Sequence, residues 1–172
     1  MARPKHKVLE YRNYELTADF HILVLTGDQW HISPVTVKHL HIHNCLEIGC
    51  YTEGTFDFYL RDEVVSVAAP AVIIAPANAP HISNPPEGTE YRGKWIYLDP
   101  ERLCGHLPAR LLADLSRAQY HASAADCVFR REDDPQVYEL LHLIIGEMEA
   151  KAANSHHIHP RLLEDTEVFA TK

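Results

Sequence analysis

The sequence lacks any apolar run of the roughly 20 residues that a membrane-spanning helix needs. No apolar stretch follows the basic residues 1–7, so no secretory signal is predicted. The four cysteines form neither a C-x-x-C pair nor a zinc-knuckle spacing, which argues against a disulfide framework and favours reduced thiols. These absences predict a cytoplasmic protein with no membrane partner.

Positive charge is also scarce. Lysine and arginine number 16 against 24 acidic residues, for a net charge of −8. A domain that binds DNA by itself is usually basic, because much of its affinity comes from neutralising phosphates. The chain is therefore not expected to bind DNA directly. Its 172 residues, 46% of them hydrophobic, suit one domain with an appended helical segment.

Short apolar runs separated by turn residues occupy the first 100 residues. Many short strands with turn signals between them predict a β-sandwich or barrel. The predicted strands are residues 20–25, 35–43, 46–52, 55–60, 64–67, 71–75, 81–83 and 91–98.

Apolar residues follow helical spacing after about residue 100. Asp134 and Pro135 are typical of a helix start, and a single apolar stripe follows them. We predict that this stripe forms a homodimer seam, with packing on the chain's own barrel as the alternative. Another helix is predicted to begin within residues 161–169. The expected division is a barrel over residues 1–104 and a helical dimerisation segment over 105–172. The stripe consists of Val137, Leu140, Leu141, Ile144, Ile145 and Met148.

A group of histidines and one glutamate carries the chemical information. His41, His43 and Glu47 share one face of a strand, because side chains alternate along it. His81 follows a tight turn and can supply a third imidazole. Three histidines and a glutamate suit zinc, nickel, iron or manganese. The alternative is a metal-free polar lining for a ligand.

The spacing of these residues resembles the cupin motifs. His41, His43, Glu47 and Gly54 match H-x-H-x3-E-x6-G, and residues 76–81 resemble P-x-G-x2-H, with an asparagine in place of the glycine. Val35 and Pro70 stand where the two motifs open with glycine, and the closing asparagine is displaced by one residue to position 84. The ligand positions are kept, whereas some turn positions are not.

Residues 35–105 more narrowly resemble the effector-binding domain of AraC-family transcription regulators. The distinctive part is the Trp-Ile-Tyr-Leu-Asp-Pro-Glu run at residues 95–101. The resemblance implies a mainly β protein, a cupin double-stranded β-helix (jelly-roll) barrel followed by two or three α-helices used for dimerisation. It also implies that DNA is contacted through a C-terminal helix-turn-helix domain, and no such motif is found in this sequence.

Two functions are compatible with these residues. The first is a non-enzymatic sensor that binds a small polar effector, for example a carbohydrate, in its barrel. Tyr51, Trp95 and Tyr97 would stack on that effector, with barrel core as their alternative role. The second is a small metal-dependent cupin enzyme of the dioxygenase or sugar isomerase type. The long helical tail favours the sensor.

Overall fold

The computed structural model describes residues 8–14, 16, 22–25, 31–32, 39–103, 105–154 and 166–170. Strands dominate up to residue 98, and helices follow. The elements are β1 (Val8–Arg12), β2 (Ile22–Leu25), β3 (His31–Ile32), β4 (Leu40–His43), β5 (Leu46–Glu53), β6 (Thr55–Leu60), β7 (Glu63–Ala68), β8 (Ala71–Ala75), β9 (His81–Asn84), β10 (Tyr91–Leu98), α1 (Pro100–Leu103), α2 (Ala109–His121), β11 (Val128–Arg130), α3 (Pro135–Asn154) and β12 (Thr166–Ala170).

These strands form two sheets that enclose the core. The first has the order β12-β1-β4-β9-β6-β7, and the second has the order β11-β8-β5-β10-β2, with β3 also pairing with β10. Apolar side chains of both sheets meet in one cluster, in which Tyr51 of β5 stacks on Phe56 of β6 at 4.1 Å. The predicted fold class, a cupin-type barrel followed by helices, is confirmed.

The predicted strands agree well with the structure where it describes them. Residues 55–60 and 71–75 match exactly the strands β6 and β8, and 91–98 matches β10. Of the predicted strand 35–43, residues 39–43 are described, and residues 40–43 form β4. The alternation of side chains determines which of them reach the interior.

Helix α3 packs on the outer face of the second sheet. Ile48 and Ile96 point outward from β5 and β10 and form a second apolar cluster with Tyr138 and Ile145 of the helix. Because this cluster covers its outer face, β5 is buried on both sides. No helix in the described ranges is long and apolar enough to cross a membrane.

The predicted dimer stripe divides between two environments. Ile145 is only 1% exposed in the chain's own core, and Leu141 packs against the same cluster. Val137 and Met148 are partly buried. Leu140 and Ile144 are 59% and 40% exposed. The core side of the stripe thus packs on the barrel, and the other side is exposed in the single chain.

Two strands lie beyond the predicted barrel boundary at residue 104. The prediction of a helix within residues 161–169 is wrong for residues 166–169, because Thr166–Ala170 forms β12 and pairs antiparallel with β1. Val128–Arg130 likewise forms β11, which pairs with β8. The second segment is therefore not purely helical. The domain division itself stays a prediction.

Candidate metal centre

Three strands position the four predicted metal ligands, two from the first sheet and one from the second. His41 and His43 occupy alternate positions of β4, and Glu47 lies on β5 after a tight turn. His81 opens β9, where it is the register partner of His41. All four side chains are buried, and their ligand atoms lie within 4.8 Å of one another. The structure thus brings together the four residues that the spacing indicated.

Asn78 takes over the backbone role of the missing motif glycine. Its φ is +58°, a left-handed conformation that asparagine tolerates better than most residues. Its backbone N–H donates to the carbonyl of His43 at 2.8 Å, which ties this turn to β4. The turn therefore keeps its shape without glycine and delivers His81 to the centre.

Backbone carbonyls orient two of the imidazoles. His43 Nδ1 donates to the carbonyl of Cys45 at 2.8 Å, and His81 Nδ1 donates to the carbonyl of Ala79 at 2.7 Å, since a carbonyl only accepts. Their Nε2 atoms then face Glu47 Oε2 at 3.0 and 3.4 Å. In neutral rings these Nε2 atoms are acceptors opposite a carboxylate, so a proton or a cation is needed between them.

The electrostatics favour a cation. Burial lowers the pKa of His43 and lowers that of His41 to about 3, so both rings are neutral near neutral pH. Burial opposes ionisation of Glu47, but the three imidazoles outweigh it and hold its pKa well below the usual range. Neutral imidazoles beside a carboxylate are the protonation states that metal ligation requires.

His41 supplies an independent sign of fit. Within the described structure, neither of its buried ring nitrogens has a hydrogen-bond partner, and its Nε2 lies 3.9 Å from Glu47 Oε2. An unpaired buried polar atom is costly, whereas a bound ion would engage it. The four residues therefore fit a zinc, nickel, iron or manganese ion.

The centre is almost fully enclosed. The side chains of His43 and His81 are 0% and 2% exposed, against 10% and 9% for His41 and Glu47. The small exposed area of the centre therefore belongs to His41 and Glu47, although the ring nitrogens of His41 are themselves buried.

The predicted stacking aromatics all lie inside the barrel. The Tyr97 ring packs edge-on to His43, with centroids 5.2 Å apart. Tyr51 donates to or accepts from Ser83 Oγ at 2.8 Å, and Trp95 packs on Tyr51 at 5.8 Å in the aromatic core. Tyr97 thus borders the centre directly, and Tyr51 and Trp95 fill the core beside it. Effector contact by these three residues stays a prediction.

Strand β1 adds charged residues that sequence reasoning missed. Glu10 pairs in register with His41, and Arg12 pairs with His43. Arg12 Nε and Nη2 donate to Glu10 at 2.8 and 2.9 Å, and His39 Nε2 lies 2.9 Å from the same carboxylate. Chiefly through Arg12, the pKa of Glu10 is lowered to about 2. The alternating positions of Glu10, Arg12 and Tyr14 could have indicated a strand with these side chains on one face. Alternation does not, however, indicate that β4 is the strand beside it.

A polar cleft of about 350 Å³ opens beside this strand. Its wall includes Tyr14, whose ring also packs on Tyr97 at 4.5 Å and on His43 at 5.5 Å. Asn44 holds the backbone N–H and carbonyl of Tyr14 at 2.9 and 3.0 Å. Tyr14 therefore lines the cleft and also contacts one imidazole of the centre. The lining residues are Asn13, Tyr14, Leu16, Asn44, Asp99 and Arg102.

Comparison with known proteins gives one family match. The model of the AraC-like ligand binding domain matches residues 32–166. No curated protein matches significantly.

Two solved structures show partial similarity. The plu4264 protein of Photorhabdus luminescens is 23% identical, with a TM-score of 0.33, over 44% of this chain and 58% of that chain. A Cupin 2 conserved barrel domain protein of Salinispora arenicola CNS-205 is 15% identical, with a TM-score of 0.36, over 52% of this chain and 83% of that chain. The chain thus spans little more than half the length of the first of these proteins.

Proposed function

The chain belongs to the AraC-like ligand binding domain family, and from that premise we propose that its barrel is the effector sensor of a transcription regulator. The effector is a small polar molecule bound at the buried centre. Contact with DNA takes place through a separate domain, and the protein acts in the cytoplasm. No catalytic residue is required.

The convergence of His41, His43, Glu47 and His81 supports this proposal most directly. These residues would hold a divalent transition metal, which would act as a Lewis acid toward an oxygen atom of the effector. His43 and His81 are preoriented by carbonyls, so little reorganisation opposes binding.

A physical route connects the centre to the helices. Glu47 points inward from β5, while Ile48 and Cys50 of the same strand point outward against α3. Lys94 of β10 also pairs with Glu149 of α3 at 2.7 Å. A ligand with different affinities for two arrangements of β5 would therefore bias the packing of α3.

Metal content is the direct test. We expect elemental analysis of the purified protein, after equilibration with zinc, nickel, manganese and iron(II) in turn, to find about one ion per chain. The His41→Ala/His43→Ala variant should lose the ion. His106→Ala/His121→Ala, which removes two exposed histidines, is the matched control and should keep it. Equal metal content in all three proteins would contradict the proposed site.

The enzyme alternative is favoured by the same donor set, since three histidines and a glutamate also suit a catalytic metal. Incubating the metal-loaded protein with a panel of sugars and small acids, followed by NMR of the mixture, separates the two functions. A sensor returns the bound compound unchanged. Conversion of any bound compound at a rate abolished by Glu47→Gln would establish the enzyme.

Dimerisation through the exposed side of α3 is the remaining part of the proposal. Leu140 is 59% exposed and Leu111 of α2 is 47% exposed, so the two leucines are a matched pair. We expect Leu140→Glu to convert a dimer to a monomer in sedimentation velocity, because burying a charge in an apolar interface is costly. Leu111→Glu should leave the dimer intact. A wild-type monomer at high concentration would refute this part.

A further inference from the structure

Arg12 lies on the strand beside β4, in register with His43 of the metal centre. We infer that Arg12 is an anion-recognition residue and that the effector is a small organic carboxylate held between the metal and this guanidinium. This inference rests on the proposed function, because it names the chemical class of the effector.

The position of Arg12 in the sheet is the first observation. Strand β1 runs parallel to β4, with Arg12 beside His43 and Glu10 beside His41. Tyr14, two residues further along, lies in the interior cluster. The alternating side chains at 10, 12 and 14 therefore share the face that carries the histidines.

The guanidinium is also preoriented. Two parallel hydrogen bonds from Nε and Nη2 fix it against the Glu10 carboxylate, which His39 holds from another side. The Arg12 side chain is still 34% exposed, whereas the Glu10 side chain is 12% exposed. Because Glu10 engages Nε and one hydrogen of Nη2, a carboxylate ligand would accept from Nη1 and the second hydrogen of Nη2, which the same bonds hold in place.

The charge of the centre points to the same class of ligand. Two carboxylates, Glu47 and Glu10, and one guanidinium, Arg12, give the group one net negative formal charge when its imidazoles are neutral. A divalent ion reverses this to one net positive charge. A neutral sugar would leave that charge uncompensated in a buried site, whereas a monocarboxylate would cancel it.

Glycolate and its neutral amide, glycolamide, are the probes, with Mn²⁺ as the metal. We expect isothermal titration of the Mn²⁺-loaded wild type to show glycolate binding weakened by about tenfold or more in Arg12→Met/Glu10→Gln. This double variant keeps the net charge, so the loss reports the contact of Arg12 rather than the overall field. Mn²⁺ affinity should stay within about threefold, and glycolamide binding should change little.

Two further variants control for a folding defect in the double variant. Arg92→Met/Glu53→Gln removes an exposed ion pair of the same kind and should retain glycolate binding, whereas Arg12→Lys keeps the charge without the planar fork and should weaken it. Glycolate affinity within about threefold of wild type in both Arg12 variants would overturn the inference.

A failure of the proposed metal site can be distinguished from a failure of the anion-recognition inference. If the wild type binds no Mn²⁺, glycolate is titrated into the metal-free protein by NMR. Binding that depends on Arg12 would then support the anion site and refute the metal. Binding that does not depend on Arg12, or none, would overturn the inference.

Discussion

At the scale of single residues, two positions of the cupin motifs, 54 and 78, have left-handed backbone conformations but different surroundings. Asn78, at φ +58°, is held by its hydrogen bond to His43. Gly54, at φ +93°, is crowded, because a Cβ there would lie 2.6 Å from the carbonyl oxygen of Glu90. Glycine is thus required at position 54 for two reasons, whereas position 78 only needs a residue that tolerates its φ.

Gly88 allows the effect of a positive φ to be measured separately from the effect of steric crowding. Its φ is +78°, yet a Cβ there would meet no atom within 4 Å. We expect Gly88→Ala to cost about 1 kcal/mol through backbone strain alone, and Gly54→Ala to cost about 3 kcal/mol because a steric clash adds to it. Urea unfolding measures both. Equal losses would show that the clash relaxes at no cost.

Glu10 gives the protein a specific acid sensitivity. Its pKa is about 2 in the folded chain, below the ordinary 4.5, so its stabilising effect is complete above pH 4.5 and is lost as pH falls toward 2. We expect Glu10→Gln to lower the unfolding free energy by about 2 kcal/mol at pH 7, discounted for partial solvent exposure, and by much less at pH 3.

Glu53→Gln is the control for that measurement. Its ion pair with Arg92 is exposed and contributes little. A gap between wild type and Glu10→Gln that is constant from pH 7 to pH 3 would contradict the assignment of the effect to ionisation of Glu10.

At the scale of elements, α3 shows how one apolar stripe serves two surfaces. The helix periodicity is confirmed, but periodicity alone does not distinguish the side that packs on the barrel. Ile144 is 40% exposed, whereas its neighbour Ile145 is only 1% exposed. The stripe is wider than the contact with the sheet, which leaves apolar residues in solvent.

The same pair tests this division. Ile145→Ala should lower the unfolding free energy by about 3 kcal/mol, because it leaves a cavity between α3 and β5. Ile144→Ala should cost about 0.5 kcal/mol or less in the monomer. Chemical denaturation at low protein concentration compares them. A large loss at 144 would place the packed side of the helix elsewhere.

The C-terminal strand shows where element prediction failed. Thr166, Val168 and Phe169 are common in strands, and the nearby charged residues also permit a helix. Residues 166–170 form a strand because they pair with β1, which lies more than 150 residues earlier in the chain. The local sequence does not indicate which distant segment a strand will pair with.

At the scale of the whole molecule, metal binding should be coupled to folding. The four ligands come from three strands and meet only in the folded barrel, so an ion would stabilise the folded state almost exclusively. At a free metal concentration about 100 times Kd, we expect about 2.7 kcal/mol of added stability.

Thermal unfolding with and without metal measures this coupling. The Tm of the wild type should rise with zinc or nickel and return on adding a chelator, and Glu47→Gln should respond much less because it lacks the charged ligand. A Tm that does not depend on metal in the wild type would contradict the coupling.

The sequence by itself determined the strand pattern between residues 40 and 98, the four ligand candidates and the helix after Pro135, because each depends on local alternation, local spacing or a local start signal. The tertiary structure alone decided that β1 lies beside β4, so that Glu10 and Arg12 join the centre. It also decided that residues 166–170 form a strand and which side of α3 is buried. These features depend on pairings between distant segments, and the free energy of such pairings is not encoded in any short stretch of the chain.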